Sequence, residues 1–262
     1  MIEELLEFSK RIAIDAGEIL KKYFSSKKSK LNERLKSPRN VLTEADLETE
    51  KFIRKEIEKK YPEHEIVGEE LIRREGKKFR WLVDPLDGTT NFASGIPHWA
   101  VSIAVCDFRG EAAGVIYDPL REEMFFAGRG LGSWRGSERI KVSKESKLED
   151  ALAATGFGAM RGTKPDLNCI ERFKRVLIEV KGVRRIGSAA LDLAYAAAGR
   201  FEFFFEDGLG PWDIAAGALI VREAGGVTID YDAGDEYLSK GSIIAGNEKI
   251  VRKAVKLIRG KE

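Results

Sequence analysis

Apolar side chains recur at helical spacing at the start of the chain. Leu5, Ile12 and Ile19 form one stripe within residues 1–24, and charged side chains lie between them. Side chains about seven residues apart share one face of an α-helix, so an amphipathic helix is predicted here. Residues 25–39 are polar and basic and show no such period.

A second helical pattern starts at Thr43. This residue is typical of a helix N-cap, and Asp46 follows three residues later, as in a capping box. Pro62 marks the end of the pattern, because proline does not continue a helix. The second helix is therefore predicted to lie between Thr43 and Pro62.

From residue 80 onwards the apolar residues come in short runs. The first four runs are RWLVD, WAVSIAVCD, AAGVIYD and EEMFFAG, and glycine turns separate the later ones. Runs of this length and spacing predict a mostly antiparallel meander of strands.

After about residue 142 candidate strands and helices alternate. The strand-like runs are ALAATG, VRRIG, FEFFFED, GVTID and GSIIAG. Such alternation favours an α/β layer. We therefore predict an N-terminal α+β half, residues 1–141, and a C-terminal α/β half, residues 142–262.

The composition is that of a globular protein. Hydrophobic residues make up 43% of the 262 residues and charged residues 34%. No apolar run approaches the roughly 20 residues of a membrane span, and the acidic start of the chain is unlike a signal peptide, so a cytoplasmic location is expected. The net charge of +2 argues against an obligate nucleic-acid binder.

Two further features of composition bear on chemistry and habitat. Cys106 and Cys169 stand far apart and form no redox or zinc motif. Glutamine is absent, while lysine, arginine and glutamate are abundant, a profile that predicts adaptation to high temperature.

Acidic side chains stand where predicted strands end and helices begin. Taken singly, such residues are typical helix caps or surface charges. Taken together they favour a site for hard cations such as Mg²⁺, which prefer carboxylate and carbonyl oxygens. The six acids are Asp46, Glu69, Glu70, Asp84, Asp87 and Asp213.

The GTTN segment after Asp87 fits the same chemistry. Gly88, Thr89 and Thr90 offer backbone N–H groups at a predicted helix N-terminus, which is a natural seat for phosphate. Two metals about 4 Å apart can bridge a phosphate and activate a water. The Thr89 hydroxyl could hold that water.

Phosphatases that form a phosphoaspartate are a rival hypothesis. They use D-x-D-G-T, whereas this chain has DPLDGT, with two residues between Asp84 and Asp87. A spacing of three places two side chains on opposite faces of a regular strand. We therefore expect no covalent aspartyl intermediate.

The combined pattern resembles the inositol monophosphatase family, within the lithium-sensitive, Mg²⁺-dependent sugar phosphatases. The resemblance runs from about residue 36 to residue 226 in matching order. It is carried by the segments LTEAD, VGEE, WLVDPLDGTTNF, GSAALDLAYAAAGRFEFFFE and PWDIAAGALIVREAGG.

The resemblance implies a set of metal ligands. Glu69, Asp84 and the carbonyl of Leu86 would hold a first Mg²⁺, and Asp84, Asp87 and Asp213 a second, with Asp84 shared. Glu69 would also reach a weaker third site. Two or three Mg²⁺ ions per active site are thus expected.

The resemblance also implies catalytic and substrate-binding residues. Thr89 and Asp46 would orient the attacking water, and Glu69 is the third implied catalytic residue. Glu206 would accept a hydroxyl of the substrate, and Lys36 would lie on a mobile loop near the metals. The implied substrate-binding residues are Gly88, Thr89, Ser188, Ala189, Glu206, Asp213 and Lys36.

The implied fold is a layered α/β/α/β/α sandwich, commonly assembled as a homodimer. The implied substrate is a small phosphorylated polyol or sugar, with myo-inositol 1-phosphate first and fructose-1,6-bisphosphate, or both, as the alternative. No membrane partner is expected. The basic residues 21–39 leave open a lid, a solvated loop or an RNA contact, and a regulatory role with the transcription machinery is the less favoured alternative.

Overall fold

The computed structural model describes residues 1–26, 34–37, 40–71, 73–160 and 165–260, with the backbone alone in 34–37 and 40–42. The two predicted N-terminal helices are confirmed as α1, Ile2–Ser25, and α2, Glu44–Lys60. Two short strands precede α2, β1 Arg34–Ser37 and β2 Asn40–Leu42, and they pair antiparallel.

The predicted meander is confirmed as a seven-stranded sheet whose spatial order follows the chain. Only its first two strands run parallel. The five-residue helix α3, Thr89–Ala93, leaves the end of the second strand. The strands are β3 Glu65–Gly68, β4 Arg80–Asp87, β5 Ala100–Asp107, β6 Gly110–Asp118, β7 Glu123–Gly128, β8 Gly132–Arg135 and β9 Glu138–Arg139.

A five-stranded sheet follows, in the spatial order β11-β10-β12-β14-β13. Its strands are β10 Leu152–Thr155, β11 Gly182–Arg184, β12 Phe203–Asp207, β13 Val227–Ile229 and β14 Ser242–Gly246. The sheet is only partly parallel, because β14 runs antiparallel to both β12 and β13. Its helices are α4 Asn168–Leu177, α5 Ala189–Ala197, α6 Pro211–Glu223, α7 Tyr237–Lys240 and α8 Glu248–Arg259.

Alternate side chains of each sheet enter different cores. In β4, Trp81 and Val83 pack with residues of α1 and α2, whereas Leu82 packs with residues of α5 and α6. In β12, Phe204 joins the α5 and α6 side, and Phe203 joins the core beneath α8. The order helix, sheet, helix, sheet, helix follows, which confirms the expected sandwich.

The central core contains side chains from both sheets, with α5 and α6 between them. The division into halves at residues 141 and 142 stays a prediction. Among the described residues, no helix has the length and apolar character that crossing a bilayer requires.

Strand β4 contains a bulge at its acidic end. Asp84 pairs with Ser102 and Asp87 pairs with Ala100, so three steps along β4 match two steps along β5. One extra residue in a strand turns the following side chain to the other face. The bulge therefore points Asp87 to the side of the sheet that Asp84 faces.

Candidate metal centre

Three carboxylates from two distant parts of the chain converge. Asp84 and Asp87 come from the bulged end of β4, and Asp213 from the first turn of α6. One oxygen from each lies within 4.8 Å of the others. The expectation that a spacing of three separates Asp84 from Asp87 is therefore wrong, since it assumed a regular strand.

Each of these carboxylates is oriented by a backbone N–H group. Asp84 accepts a hydrogen bond from Leu86 N at 2.9 Å, Asp87 from Ala190 N at 2.8 Å, and Asp213 from Gly210 N at 2.7 Å. Hydrogen bonds to charged acceptors are stronger than neutral ones. The three side chains are therefore held in place before any ligand arrives.

The environment of Asp84 favours a bound cation. Its side chain is buried, and burial raises its pKa well above the ordinary value, with Glu69, Asp87 and Asp213 adding to the rise. Close carboxylates resist sharing a site unless positive charge compensates them. The donor set, which is all oxygen, fits a hard cation such as Mg²⁺.

Glu69 follows β3 and lies in the same cleft. It raises the pKa of Asp84, but it is outside the group of three whose oxygens lie within 4.8 Å. The residues that line the cleft are Glu69, Asp84, Leu86, Asp87, Gly88, Thr89, Thr90, Arg185, Gly187 and Asp213.

Asp46 and Thr89 contact each other beside the carboxylates. Thr89 Oγ1 lies 3.2 Å from Asp46 Oδ1 and 3.0 Å from the carbonyl oxygen of Leu86, so its proton has two acceptors. The second oxygen of Asp46 accepts the N–H of Thr43 at 2.8 Å and completes the predicted capping box. One carboxylate thus caps α2 and orients the Thr89 hydroxyl.

Gly88 makes the turn from β4 into α3. Its φ of +95° lies in the region that favours glycine, and a Cβ there would come 3.0 Å from the carbonyl oxygen of His98. Because α3 has only five residues, its dipole is small. Any affinity for phosphate at Gly88, Thr89 and Thr90 must come mainly from their N–H groups.

The C-terminal half adds Ser188 and Ala189. Ser188 caps α5, accepting from Leu191 N at 3.3 Å, and its hydroxyl donates to Asp87. Ala189 is the first residue of α5. This contact ties the start of α5 to the acidic end of β4.

Among the described residues, the predicted substrate-binding residues Ser188, Ala189 and Glu206 are not part of the lining of the acidic cleft. Glu206 lies on β12, 4% exposed, where it accepts the N–H of Gly158 at 2.9 Å. Lys36 lies in β1, and its side chain is outside the described part of the chain. Their roles stay predictions.

Two residues of the cleft region, Arg185 and Asp192, were not predicted from the sequence. Among the described residues that line the cleft, Arg185 alone is cationic, and its guanidinium lies beside Gly187. Asp192 in α5 is buried, and its pKa is raised by burial and by Glu206 and Asp87. The segment VRRIGSAALD carried both residues, but its pattern indicated only a strand followed by a helix.

Glu50 of α2 was also not predicted from the sequence. This carboxylate is buried and accepts the N–H groups of Glu70 and Leu71, at 2.8 Å and 3.1 Å. Burial raises its pKa, and the two N–H groups oppose the rise. The signal was its spacing, since residues four apart share one face of a helix and Glu50 follows Asp46 by four.

Comparisons with known proteins agree with this geometry. A sequence model described as the inositol monophosphatase family matches residues 1–259. The chain is 42% identical to the inositol-1-monophosphatase of Mesorhizobium japonicum over 258 residues, 97% of this chain and 96% of that protein. It is also 42% identical to the Nus factor SuhB of Pseudomonas aeruginosa over 254 residues, 95% of this chain and 93% of that protein.

Solved structures have the same fold. The extragenic suppressor protein suhB from Bartonella henselae matches with a TM-score of 0.91 and 40% identity, covering 98% of each chain. A structure of SaIMPase-II with bound inositol monophosphate matches with a TM-score of 0.82 and 29% identity, covering 97% of this chain and 94% of that one.

Proposed function

The chain belongs to the inositol monophosphatase family and is thus a phosphatase, and we propose that it hydrolyses inositol monophosphate to inositol and phosphate with the help of Mg²⁺. The observation that carries the proposal is the convergence of three carboxylates beside the Thr89–Asp46 pair. The neighbour with bound inositol monophosphate and the relative named inositol-1-monophosphatase support myo-inositol 1-phosphate as the leading substrate.

The proposed ligands of Mg²⁺ are Glu69, Asp84, Asp87, Asp213 and the carbonyl of Leu86. Cations held there would neutralise phosphoryl charge and lower the pKa of a nearby water. The carboxylates are already oriented by backbone N–H groups, so little rearrangement opposes binding.

The chain's own groups would position the attacking water and the phosphate. The Thr89 hydroxyl can donate to Asp46 while its oxygen accepts a hydrogen bond from the water. Asp46 would take up the proton that leaves the water through Thr89. The N–H groups of Gly88 and Thr89 would hold phosphoryl oxygens, and Arg185 would add positive charge at the same cleft.

The polyol side of the substrate is proposed to lie toward α5 and β12. Ser188 and Ala189 begin α5, and Glu206 is the carboxylate proposed to accept a substrate hydroxyl. Since many sugars offer hydroxyls in similar places, fructose-1,6-bisphosphate is the alternative substrate within this class.

Phosphate release across a panel of substrates tests the proposal. We expect Mg²⁺-dependent release from myo-inositol 1-phosphate to exceed that from fructose-1,6-bisphosphate and nucleotide monophosphates. Asp232→Asn is the control for substitutions of the cleft carboxylates such as Asp84→Asn. It alters an exposed carboxylate paired with Lys240 and should release phosphate as the unaltered protein does. Hydrolysis that continues after complete chelation of divalent cations would contradict the mechanism.

A second candidate function is a regulatory role with the transcription machinery. The similarity to the Nus factor SuhB of Pseudomonas aeruginosa favours it. Capture of partners from a lysate by Asp84→Asn, with and without nuclease, is the test. Retention of RNA polymerase components by this variant would support a binding role that is independent of hydrolysis, and loss of all such partners would oppose it.

Assembly as a homodimer is proposed from the family resemblance. Exposed apolar side chains on and beside α4, including Leu167, Ile170 and Ile178, are compatible with a covered face. Light scattering on the eluting protein should give twice the 29.3 kDa of one chain. A mass of one chain at micromolar concentration would contradict the proposal.

A further inference from the structure

Helix α2 presents two buried carboxylates on one face toward the candidate metal centre. Asp46 contacts Thr89, and Glu50, one turn later, contacts the segment that follows β3. The Glu50 side chain has no exposed surface. Removing a charged carboxylate from water is costly, so a buried one is retained only where its partners compensate.

The partners of Glu50 are mainly backbone groups. Its Oε2 accepts the N–H of Glu70 at 2.8 Å, and its Oε1 accepts the N–H of Leu71 at 3.1 Å. A cation, Arg54, stands 3.6 Å from Oε1. Both oxygens therefore face the two residues that directly follow the proposed ligand Glu69.

Glu69 is consequently held from both sides along the chain. Its own N–H donates to the carbonyl oxygen of Val83 in β4 at 3.2 Å, which extends the pairing of β3 and β4. The next two N–H groups are taken by Glu50. These bonds leave the backbone at Glu69 little freedom to turn its carboxylate away from the cleft.

Gly68 shows how closely the two elements approach. Its φ is not in the left-handed region, but a Cβ there would lie 2.0 Å from Glu50 Oε1. Glycine at this position is explained by the close approach of the carboxylate rather than by backbone conformation. Even one methyl group would displace Glu50 or the segment that it holds.

We propose that Glu50 is a positioning residue, which fixes the segment after β3 so that Glu69 faces the carboxylates of Asp84, Asp87 and Asp213. The inference rests on the proposed function, because it assigns Glu50 to the Mg²⁺ site of that function. Glu50 itself contacts no substrate.

Calorimetric titration of the metal-free protein with MgCl2 tests the proposal without relying on activity. Glu50→Gln should weaken Mg²⁺ binding by about tenfold or more, as losses behind a metal ligand commonly do. Glu48→Gln removes the same charge from an exposed position on the same helix and should change affinity by less than about twofold. Equal affinity in Glu50→Gln and the unaltered protein would overturn the proposal.

The variant Gly68→Ala tests the position of the Glu50 carboxylate separately from its charge. It keeps every carboxylate but pushes Glu50 from its place, so it should weaken Mg²⁺ binding in the same direction as Glu50→Gln. Unchanged affinity in Gly68→Ala, with weakened affinity in Glu50→Gln, would mean that the charge of Glu50 matters and its positioning does not.

Hydrogen exchange tests the proposal in the unaltered protein, so it does not require any variant to fold. In the unaltered protein the amides of Glu70 and Leu71 should exchange slowly, and fast exchange there would refute the proposed anchoring. The outcomes also separate the two proposals. A protein that binds Mg²⁺ with the predicted dependence on Glu50 but releases no phosphate would overturn the proposed function alone.

Discussion

At the scale of single residues, Asp46 shows that one side chain can have two roles. One oxygen closes the capping box with Thr43, and the other accepts from Thr89 at the edge of the cleft. A helix cap and a proposed catalytic group are the same carboxylate. Bond geometry at Asp46 therefore couples the start of α2 to the orientation of Thr89.

The variant Asp84→Asn should lower the activity without lowering the stability of the fold. Activity should fall by at least about a thousandfold, because the proposed shared metal ligand loses its charge. Stability in chelator should be equal or higher, because a buried carboxylate no longer faces Glu69, Asp87 and Asp213. Phosphate release and thermal unfolding measure the two effects, and a clear drop in the unfolding temperature would contradict the charge argument.

His98 should make the protein sensitive to acid. Burial, with Arg121 second, lowers its pKa to about 4, against 6.5 ordinarily, and Asp118 opposes the shift. The unfolded chain therefore binds the proton more readily, so the stability due to neutral His98 is complete above about pH 6.5. That stability decreases as the pH falls from about 6.5 to about 4.

Comparison with His98→Gln isolates this effect from that of the other titrating groups. Between pH 7 and pH 4 the unaltered protein should lose a few degrees more of unfolding temperature than the variant does. Circular dichroism at several pH values is the measurement. Parallel curves for the two proteins would refute the assignment to His98.

At the scale of elements, the end of β4 determines the site. The bulge brings Asp84 and Asp87 to one side, and Gly88 then turns the chain so that Thr89 begins α3 beneath Asp46. Within one short segment the strand supplies two proposed metal ligands and the helix supplies the proposed phosphate-binding N–H groups.

Gly88→Ala should cost more stability than Gly95→Ala. Both glycines have positive φ, which costs alanine about 1 kcal/mol. A Cβ at Gly95 would meet nothing within 4 Å, whereas one at Gly88 would meet His98 O at 3.0 Å and Trp99 Cβ at 3.2 Å. We expect a further loss of about 1 kcal/mol or more at Gly88, measured by urea unfolding. Equal losses would show that the contact relaxes without cost.

The sequence predicted most elements and few contacts between them. Thr43 was found at a helix start because its side chain caps locally, and it does so in the structure. The bulge in β4 was missed, because its register depends on β5. Glu50 and Arg185 were missed because their partners lie in segments that only the fold brings near.

At the scale of the whole molecule, the candidate centre belongs to neither half alone. Asp84 and Asp87 come from the first sheet, while Asp213 and Ser188 come from helices between the two sheets. The order of these layers was implied by family resemblance, since periodicity indicates which face of an element is apolar but not what covers it.

The shared core predicts one cooperative unfolding transition. Leu82 of the first sheet and Phe204 of the second pack into the same cluster around α5 and α6, so each sheet loses one of its two cores if the other unfolds. Tryptophan fluorescence, which reports largely on buried Trp81 and Trp99 in the first half, should coincide with circular dichroism in urea. Separate midpoints would show that the halves unfold independently.

The distance along the chain between Asp87 and Asp213 has a consequence for biosynthesis. A ribosome adds roughly 5–20 residues per second, so on the order of ten seconds separate the appearance of the two side chains. Through that interval the nascent first sheet lacks both Asp213 and the core side chains that α5 and α6 contribute. If the trio holds magnesium as proposed, the ion stabilises the fold through these three carboxylates only after helix α6 has left the exit tunnel.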